Sequence, residues 1–498
     1  MNRTRIRENN LAALKQDEHK MFGSDVFAFF AFLFPFVEGL AILAAIHAVM
    51  KARTSQGAIA WAVSLVTFPW VVLPLYAIFG RSRFNGYVLL RTSKDREVRR
   101  RVQNLRKMAW ESGSVRTDLR RSQKALVNMS DLPLLGCNKS ELLIDGENTF
   151  SAIFSAIRNA REYLLIQFFI VKADDLGARF RDLLLAKAEE GVRIFFLYDE
   201  IGSHSLPRRY LAQLRSAGIE VTAFHTTKGR ANRFQLNFRN HRKIVVADGE
   251  VAFVGGHNVG DEYVSRHSKF GTWRDTHVKL EGPVVNAVQF TFLEDWFWAK
   301  GKIPELNWDF GNTCNGDEDH LLVSSGPADP MDTCGLMFAQ IINEATERVW
   351  IASPYFVPDP RVVGALKLAA LRGVDVSILI PEQADHLILY LASFAYYQEI
   401  LPAGIKIYRY NRGFLHQKVF LVDSACAAVG TANLDNRSFH LNFELMLLNY
   451  SPRFIADVEK MLLRDFSGSR RAVLEDYTTR SFPFRLAVRS SALLSPVL

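Results

Sequence analysis

The frame HxKxxxxD occurs twice in this chain, as His241, Lys243 and Asp248 and again as His416, Lys418 and Asp423. An asparagine follows each copy, Asn258 and Asn433, seventeen residues beyond its histidine. One HxK arises easily by chance. A four-residue frame repeated in register implies a duplicated unit, and it limits the fold to one in which two halves each supply half of a site. A lone strand histidine is most often structural. The other histidines are read that way, His320 and His386 among them, and His257 and His277 beside the first copy are not counted as contributors.

Around both copies the sequence reads as strand, since Lys243 to Val246 and Lys418 to Val422 are rich in β-branched or aromatic residues. Residues two apart in a strand share a face. His241 and Lys243 therefore point one way and Arg242 the other, and His416 and Lys418 do the same about Gln417. Asp248-Gly249 and Asp423-Ser424 read as turns, so the aspartates are expected to fix hairpins rather than carry protons. A second apolar run, Val251 to Val254 or Cys426 to Val429, returns the chain to Gly255-Gly256 or Gly430-Thr431 just before the asparagine. Each half then carries an imidazole, an ammonium and an amide. Such groups suit a phosphodiester: two lysines balance its charge, two amides donate to its oxygens, and two imidazoles move protons.

At 498 residues the chain is long enough for two or three domains. Gly57 to Gly80 carries no charge and, as one helix, would run about 36 Å, enough for a bilayer core of about 30 Å. Val26 to Met50 is a second apolar run, interrupted by Glu38, whose carboxylate costs ~3 kcal/mol at mid-span. Together they read as a transmembrane hairpin. The long polar leader and the second span argue against a cleaved signal peptide. The four cysteines, Cys137, Cys314, Cys334 and Cys426, show no close pairing or metal-ligand spacing, which fits a reducing compartment. No HExxH, CxxC or carboxylate-rich loop occurs, so no metal or other cofactor is expected.

Charge is concentrated. Arg91 to Lys124 holds twelve Lys and Arg against four Asp and Glu, an excess of eight in a chain whose net charge is +9. Directly after a membrane span, such a linker suits anionic headgroups at roughly 1 kcal/mol per close basic residue. With the mildly basic leader, it places both ends of the hairpin in the cytoplasm.

Beyond about residue 135 one α/β pattern runs twice. A helix near Thr149 to Arg161 leads to a strand from Tyr163. A helix from Gly177 leads to Gly191-Val192 and a strand ending at Asp199. The second round runs through a helix from Met337, a strand from Val349, a helix from Val362, Gly373-Val374 and a strand ending at Pro381. Each round then reaches its HxK hairpin. The pattern predicts an α/β fold with helices layered on a sheet and site residues at strand ends. The expected divisions are 1–24 as leader, 25–80 as two transmembrane helices, 81–130 as basic linker, and 131–312 and 313–498 as two domains, with the break in the polar stretch around Asn312 to Asp319.

These residues resemble the phospholipase D superfamily and, more narrowly, its bacterial cardiolipin synthases. The resemblance rests on both motifs, Gly255-Gly256-His257-Asn258, Trp273-Arg274-Asp275, Pro354-Tyr355-Phe356-Val357-Pro358, Asn433 to Phe439 and Asn442-Phe443-Glu444. It implies two tandem phospholipase D-like α/β/α domains that form one pseudo-symmetric site. It also implies a phosphohistidine intermediate, with His241 as nucleophile and His416 as acid and base. Lys243, Lys418, Asn258 and Asn433 would hold phosphoryl oxygens, and Asp275 and Glu444 would orient the histidines. Two histidines on one phosphate are expected to titrate as a coupled pair, one neutral and one protonated near pH 7. The implied reaction joins two phosphatidylglycerols into cardiolipin and frees glycerol, in a multi-pass protein of the bacterial inner membrane whose catalytic domains face the cytoplasm. Its partners are phosphatidylglycerol, other anionic lipids and the membrane, not nucleic acid. The alternatives are a phospholipase D-type hydrolase, a transferase to another alcohol, or a non-catalytic membrane scaffold.

Overall fold

The computed structural model describes residues 32–52, 54–80, 84, 104, 107, 108, 111, 114–130, 132–224, 237–266, 270–308, 314 and 316–497. The expected leader and much of the expected linker, including most of its basic run, lie outside these residues. The chain divides into two units, residues 1–83 with 233–237, and residues 84–232 with 238–498.

In the first unit, helix α1 (Phe32–Lys51) is long and apolar enough to cross a membrane, and most of its surface is exposed. Gly57 to Gly80, expected as one span, is instead two helices, α2 (Ser55–Thr67) and α3 (Pro69–Phe79). Pro69 has no N–H and disfavours helical backbone in the residue before it, so Phe68 leaves the helix at φ −132° and ψ 59°. Within the unit, Ala45 and Ala48 of α1 pack with Leu65, Val72 and Tyr76. The Tyr76 hydroxyl lies 2.7 Å from His47 Nδ1.

The second unit carries the duplicated pattern. In the first half the order is β1 (Leu135–Ile144), α4 (Asp145–Asn159), β2 (Tyr163–Phe168), α5 (Asp175–Glu189), β3 (Arg193–Asp199), α6 (Arg208–Ser216), β4 (Glu220–Phe224), β5 (Ile244–Ala247), β6 (Val251–Gly255), β7 (Thr276–Glu281) and α7 (Val284–Lys300). The second half runs β8 (Glu318–Ser325), α8 (Thr333–Glu344), β9 (Arg348–Ala352), α9 (Pro360–Leu371), β10 (Asp375–Pro381), α10 (Leu387–Phe394), β11 (Lys406–Tyr410), β12 (Val419–Val422), β13 (Cys426–Gly430), β14 (Asn442–Asn449) and α11 (Pro452–Ser467). It closes with β15 (Ser469–Arg471) and α12 (Phe482–Ala492). Gly191 and Gly373 sit at φ +89° and +90°, a backbone that stops α5 and α9 at matching places in the two halves.

The strands join one sheet in the order β15-β11-β10-β9-β12-β13-β14-β8-β1-β7-β6-β5-β2-β3-β4. Apart from β15 at one edge, the order is a palindrome about the antiparallel β1–β8 seam. In each half the outer strands pair in parallel and the HxK hairpin continues antiparallel. Alternate side chains of the hairpin strands serve different cores. Ile244 and Val246 of β5, with Val419 and Leu421 of β12, enter one core shared by both halves and backed by α7 and α11. Val245 and Ala247 face a core built mainly from the first half, which Phe414 of the second half also enters, and Phe420 and Val422 face one built mainly from the second. Burial on both faces explains why these strands read as continuous apolar runs rather than alternating ones.

The unpaired reading of the cysteines is corrected. Cys137 and Cys314 form a disulfide across 177 residues of sequence, while Cys334 and Cys426 are buried thiols. The β1–β8 seam sets Asn138 opposite Glu318 and so brings the start of one half beside the linker to the next. Sequence spacing carries no sign of that neighbourhood.

Candidate active site

Both histidines lie just before their hairpin strands, and each is fixed by the other half of the molecule. The His241 N–H donates to the Phe443 carbonyl (2.9 Å), where Arg239-Asn240 pairs in parallel with Asn442-Phe443. The His416 N–H donates to the Arg274 carbonyl (2.8 Å), where Phe414-Leu415 pairs with Trp273-Arg274. The side chains repeat the exchange. His241 Nδ1 lies 2.9 and 3.0 Å from the Glu444 carboxylate oxygens, and His416 Nδ1 lies 2.7 Å from Asp275 Oδ2. An ionised carboxylate only accepts, so each Nδ1 carries the proton and each Nε2 is left free for chemistry.

The lysines are buried beside them. Lys243 Nζ donates to the His241 carbonyl at 2.6 Å, and Lys418 Nζ donates to the His416 carbonyl. Lys243 also lies 5.5 Å from the Phe169 ring centroid, and the same ring meets His241 edge-on. On the other side Trp273, Tyr263 and Phe414 wall His416.

Burial dominates the electrostatics. Desolvation pushes His241 down to about 4, against the opposing pull of Glu444. His416 falls well below its ordinary value through burial and the charges of Lys418 and Lys243. Lys243 is well below its usual value, and Lys418 is lowered to about 8. Glu444 is opposed by its own burial, but His241 and Lys243 hold its carboxyl below the usual value. The expected neutral-plus-protonated pair is one that faces a phosphate; without that anion both imidazoles are pushed down. Two lysines and a desolvated cleft keep both imidazoles neutral until negative charge arrives.

The remaining predicted residues fall into two groups. Asp248 and Asp423 lie at the far ends of the hairpin strands, on the order of 20 Å along the chain from their histidines. Both adopt positive φ, 55° and 50°. Asp248 accepts from the backbone N–H groups of Arg161, Glu162 and Tyr163 at 2.7–2.8 Å. Asp423 accepts from those of Thr346, Glu347 and Arg348 at 2.8–3.0 Å. The two asparagines are buried near the site, Asn258 with its amide engaged and Asn433 with an Oδ1 that has no hydrogen-bond partner among the described residues. Asn258 accepts from the Ile170 N–H (3.0 Å) and donates to the Tyr263 hydroxyl (2.9 Å). The Asn433 side chain bonds Asp435.

Further side chains surround these groups, although the sequence reading gave them no role. Glu444 accepts from Thr431 Oγ1 (2.6 Å), Ser438 Oγ (2.9 Å) and Asn442 Nδ2 (3.0 Å). The matching position to Thr431 is Gly256, where a Cβ would stand 2.0 Å from Asp275 Oδ1. Behind Asp275, His257 and His277 pack with their Nδ1 atoms 3.3 Å apart, and burial pushes both to about 3. Arg242, which lies just before β5, crosses between the halves. It bonds Asp295 Oδ1 (2.8 Å), Ser324 Oγ (2.6 Å) and the Glu444 carbonyl (3.1 Å). Asp295 also accepts from Gln167 and Asn240, each at 2.8 Å.

Known proteins match this arrangement along nearly the whole chain. Residues 153–281 and 338–466 match the family described as cardiolipin synthase, PLD-like domain, one match per half. Residues 39–81 match the phospholipase D-nuclease N-terminal family. Cardiolipin synthase A of Pseudomonas fluorescens strain SBW25 is 49% identical over 480 residues, covering 96% of this chain and 99% of that protein. Cardiolipin synthase A of Pseudomonas aeruginosa is 49% identical over 470 residues, covering 93% and 95%. The crystal structure of phosphatidylserine synthase from Haemophilus influenzae shares the fold, with a TM-score of 0.58 at 14% identity over 76% of this chain and 100% of that one. Fold and site thus define a two-domain protein of the phospholipase D class. Within that class, the chain belongs to the PLD-like cardiolipin synthase family.

Proposed function

We propose that this protein is a cardiolipin synthase that transfers a phosphatidyl group from one phosphatidylglycerol to another and releases glycerol. The exchanged pairs, His241 with Glu444 and His416 with Asp275, carry the reading. They leave two Nε2 atoms beside the buried side chains of Lys243 and Lys418. The incoming phosphodiester offsets the lysine charges and raises both imidazoles, so a proton is taken up with substrate and shared by the pair. His241 Nε2 attacks phosphorus, and the bond to the glycerol headgroup oxygen breaks. His416 Nε2–H gives its proton to that oxygen. The glycerol hydroxyl of the second lipid then loses its proton to His416 and attacks phosphorus, and the phosphorus–nitrogen bond to His241 breaks. Lys243 and Lys418 neutralise the phosphoryl oxygens. Asn258 and Asn433 shape the cleft and donate to those oxygens once their present partners give way. Asp248 and Asp423 hold the loops that enter β2 and β9.

We take residues 25–80 as the membrane region, 81–130 as the linker, and 131–312 and 313–498 as the catalytic domains. The positive charge flanking the apolar segments favours a cytoplasmic site. A second reading, a site on the outer face, is favoured by the Cys137–Cys314 disulfide, a bond typical of oxidising compartments. An impermeant maleimide applied to intact cells after mild reduction distinguishes the two, because it labels Cys137 and Cys314 only in the second.

Purified protein with phosphatidylglycerol tests the reaction. Equal amounts of cardiolipin and glycerol are expected. Phosphatidic acid without cardiolipin would make the protein a hydrolase, and mixed products with competing alcohols would make it a less selective transferase.

A further inference from the structure

The exposed apolar residues of the second unit include a group at the mouth of the site. Helix α10 is uncharged, with Leu387 65% and Ile388 46% exposed. It begins directly after His386, whose exposed ring lies close enough to act on His416, and after Asp385, which acts on Lys418. Asp385 also accepts from the Tyr355 hydroxyl at 2.5 Å, and both line a cleft with His386, Leu389, Tyr390 and Arg409. Helix α12 packs on α10, with Phe484 edge-on to Phe394 at 5.5 Å.

Helix α12 is two-faced. Phe484, Val488 and Ser491 turn inward, while Phe482, Leu486, Arg489 and Leu493 follow the spacing of the opposite face. Phe482 is 67% exposed, Leu486 54% and Leu493 82%. From Thr478 to the last residue the chain has three arginines, Arg480, Arg485 and Arg489, and no aspartate or glutamate. Arg480 lies over Phe484 and Arg489 bonds Tyr477 and Gln398, so they frame the apolar face rather than cover it.

We infer that α10 and α12 form a bilayer-docking rim, which seats the mouth of the site among anionic headgroups with Leu387, Ile388, Phe482 and Leu486 in the acyl boundary. Apolar side chains framed by arginine are the composition of helices that lie in a membrane interface. A bilayer is at hand, since the same chain carries α1, an apolar helix of spanning length. The rim is continuous with the site through His386, so a diester phosphate could enter the cleft while its acyl chains stay in lipid. The inference deepens the proposed lipid reaction and rests on it.

Its test reads contact rather than turnover, so it can fail without the reaction failing. Full-length protein carrying Ile388→Cys or Leu486→Cys, labelled with bimane, is placed in phosphatidylglycerol and phosphatidylethanolamine vesicles containing acyl-brominated lipid. Leu368→Cys, an exposed apolar position on α9, is the control. The rim probes are expected to be quenched at least about twofold more than the control. Equal quenching at all three positions would overturn the inference, as would disulfide-linked dimers through Leu486→Cys, which would assign the face to a second copy of the chain. As a second measurement, Ile388→Asp with Leu486→Asp is expected to raise the KM for vesicle phosphatidylglycerol about tenfold and leave that for a water-soluble short-chain analogue unchanged. An equal change with both substrates would contradict it.

Discussion

Asp275 stands in the first half of the molecule and accepts from Nδ1 of His416 in the second, 141 residues later, at 2.7 Å. Glu444 and His241 make the reciprocal contact. Neither half can therefore orient its own imidazole, and the site exists only when both halves are docked.

Glu444→Gln tests that dependence. An amide keeps the shape but removes the charge that fixes the tautomer and raises His241. The variant is expected to lose on the order of 10²–10³ in kcat with KM little changed, as for an interaction made mainly in the transition state. The carboxylate raises His241, so its loss lowers that histidine further below about 4. Steady-state kinetics and a pH titration of the histidine by NMR check both statements.

The pH profile follows from the lysines. Lys418 titrates near 8 in the free protein, so its charge, and with it phosphate attraction, is lost as pH rises through that value. The alkaline limb of kcat/KM is expected near 8. A bound phosphodiester favours the ammonium form, so the alkaline limb of kcat should lie higher. A coincident limb in the two profiles would show that Lys418 does not meet the phosphate.

Asp248 and Asp423 separate stability from chemistry. Asp248→Ala leaves three backbone N–H groups without their acceptor and is expected to cost about 2–4 kcal/mol, while folded molecules keep most of their turnover. The Asp423 carboxyl is lowered because three backbone N–H donors outweigh its partial burial. A lowered carboxyl contributes stability above its unfolded value, and that contribution fades as pH falls through the folded value. Thermal unfolding in detergent at pH 7 and pH 3 measures both effects.

Much of the site was legible because its signals are local. The repeated frame singled out His241, Lys243, His416 and Lys418, although the strands begin only at Ile244 and Val419, and Asp-Gly or Asp-Ser marked the turns that the structure shows at Asp248 and Asp423. The resemblance supplied Asp275 and Glu444. Sequence alone could not show that they exchange partners across the halves, because strand pairing such as Asn442-Phe443 on Arg239-Asn240 joins distant segments. The Cys137–Cys314 bond was hidden for the same reason. The broken apolar segment was readable in principle, since Pro69 stood in plain view, yet membrane helices often tolerate proline. The depressed imidazoles depend on burial, which no local pattern reports.

Arg242 is the strongest case of a residue whose importance only the structure shows. Replacing it with methionine removes the guanidinium that bonds the buried Asp295 carboxylate, and a loss of about 3–5 kcal/mol is expected. Arg242→Met with Asp295→Leu should recover part of that loss. Chemical denaturation of both variants decides whether the cross-half network stabilises the docked pair.

The most direct test of the account is the covalent intermediate. Wild-type protein, mixed rapidly with phosphatidylglycerol labelled in its phosphatidyl part and quenched in base, should carry the label on the peptide that contains His241, in an acid-labile bond. Label on His416 would exchange the two roles. Turnover to cardiolipin with no label on either histidine would contradict the account.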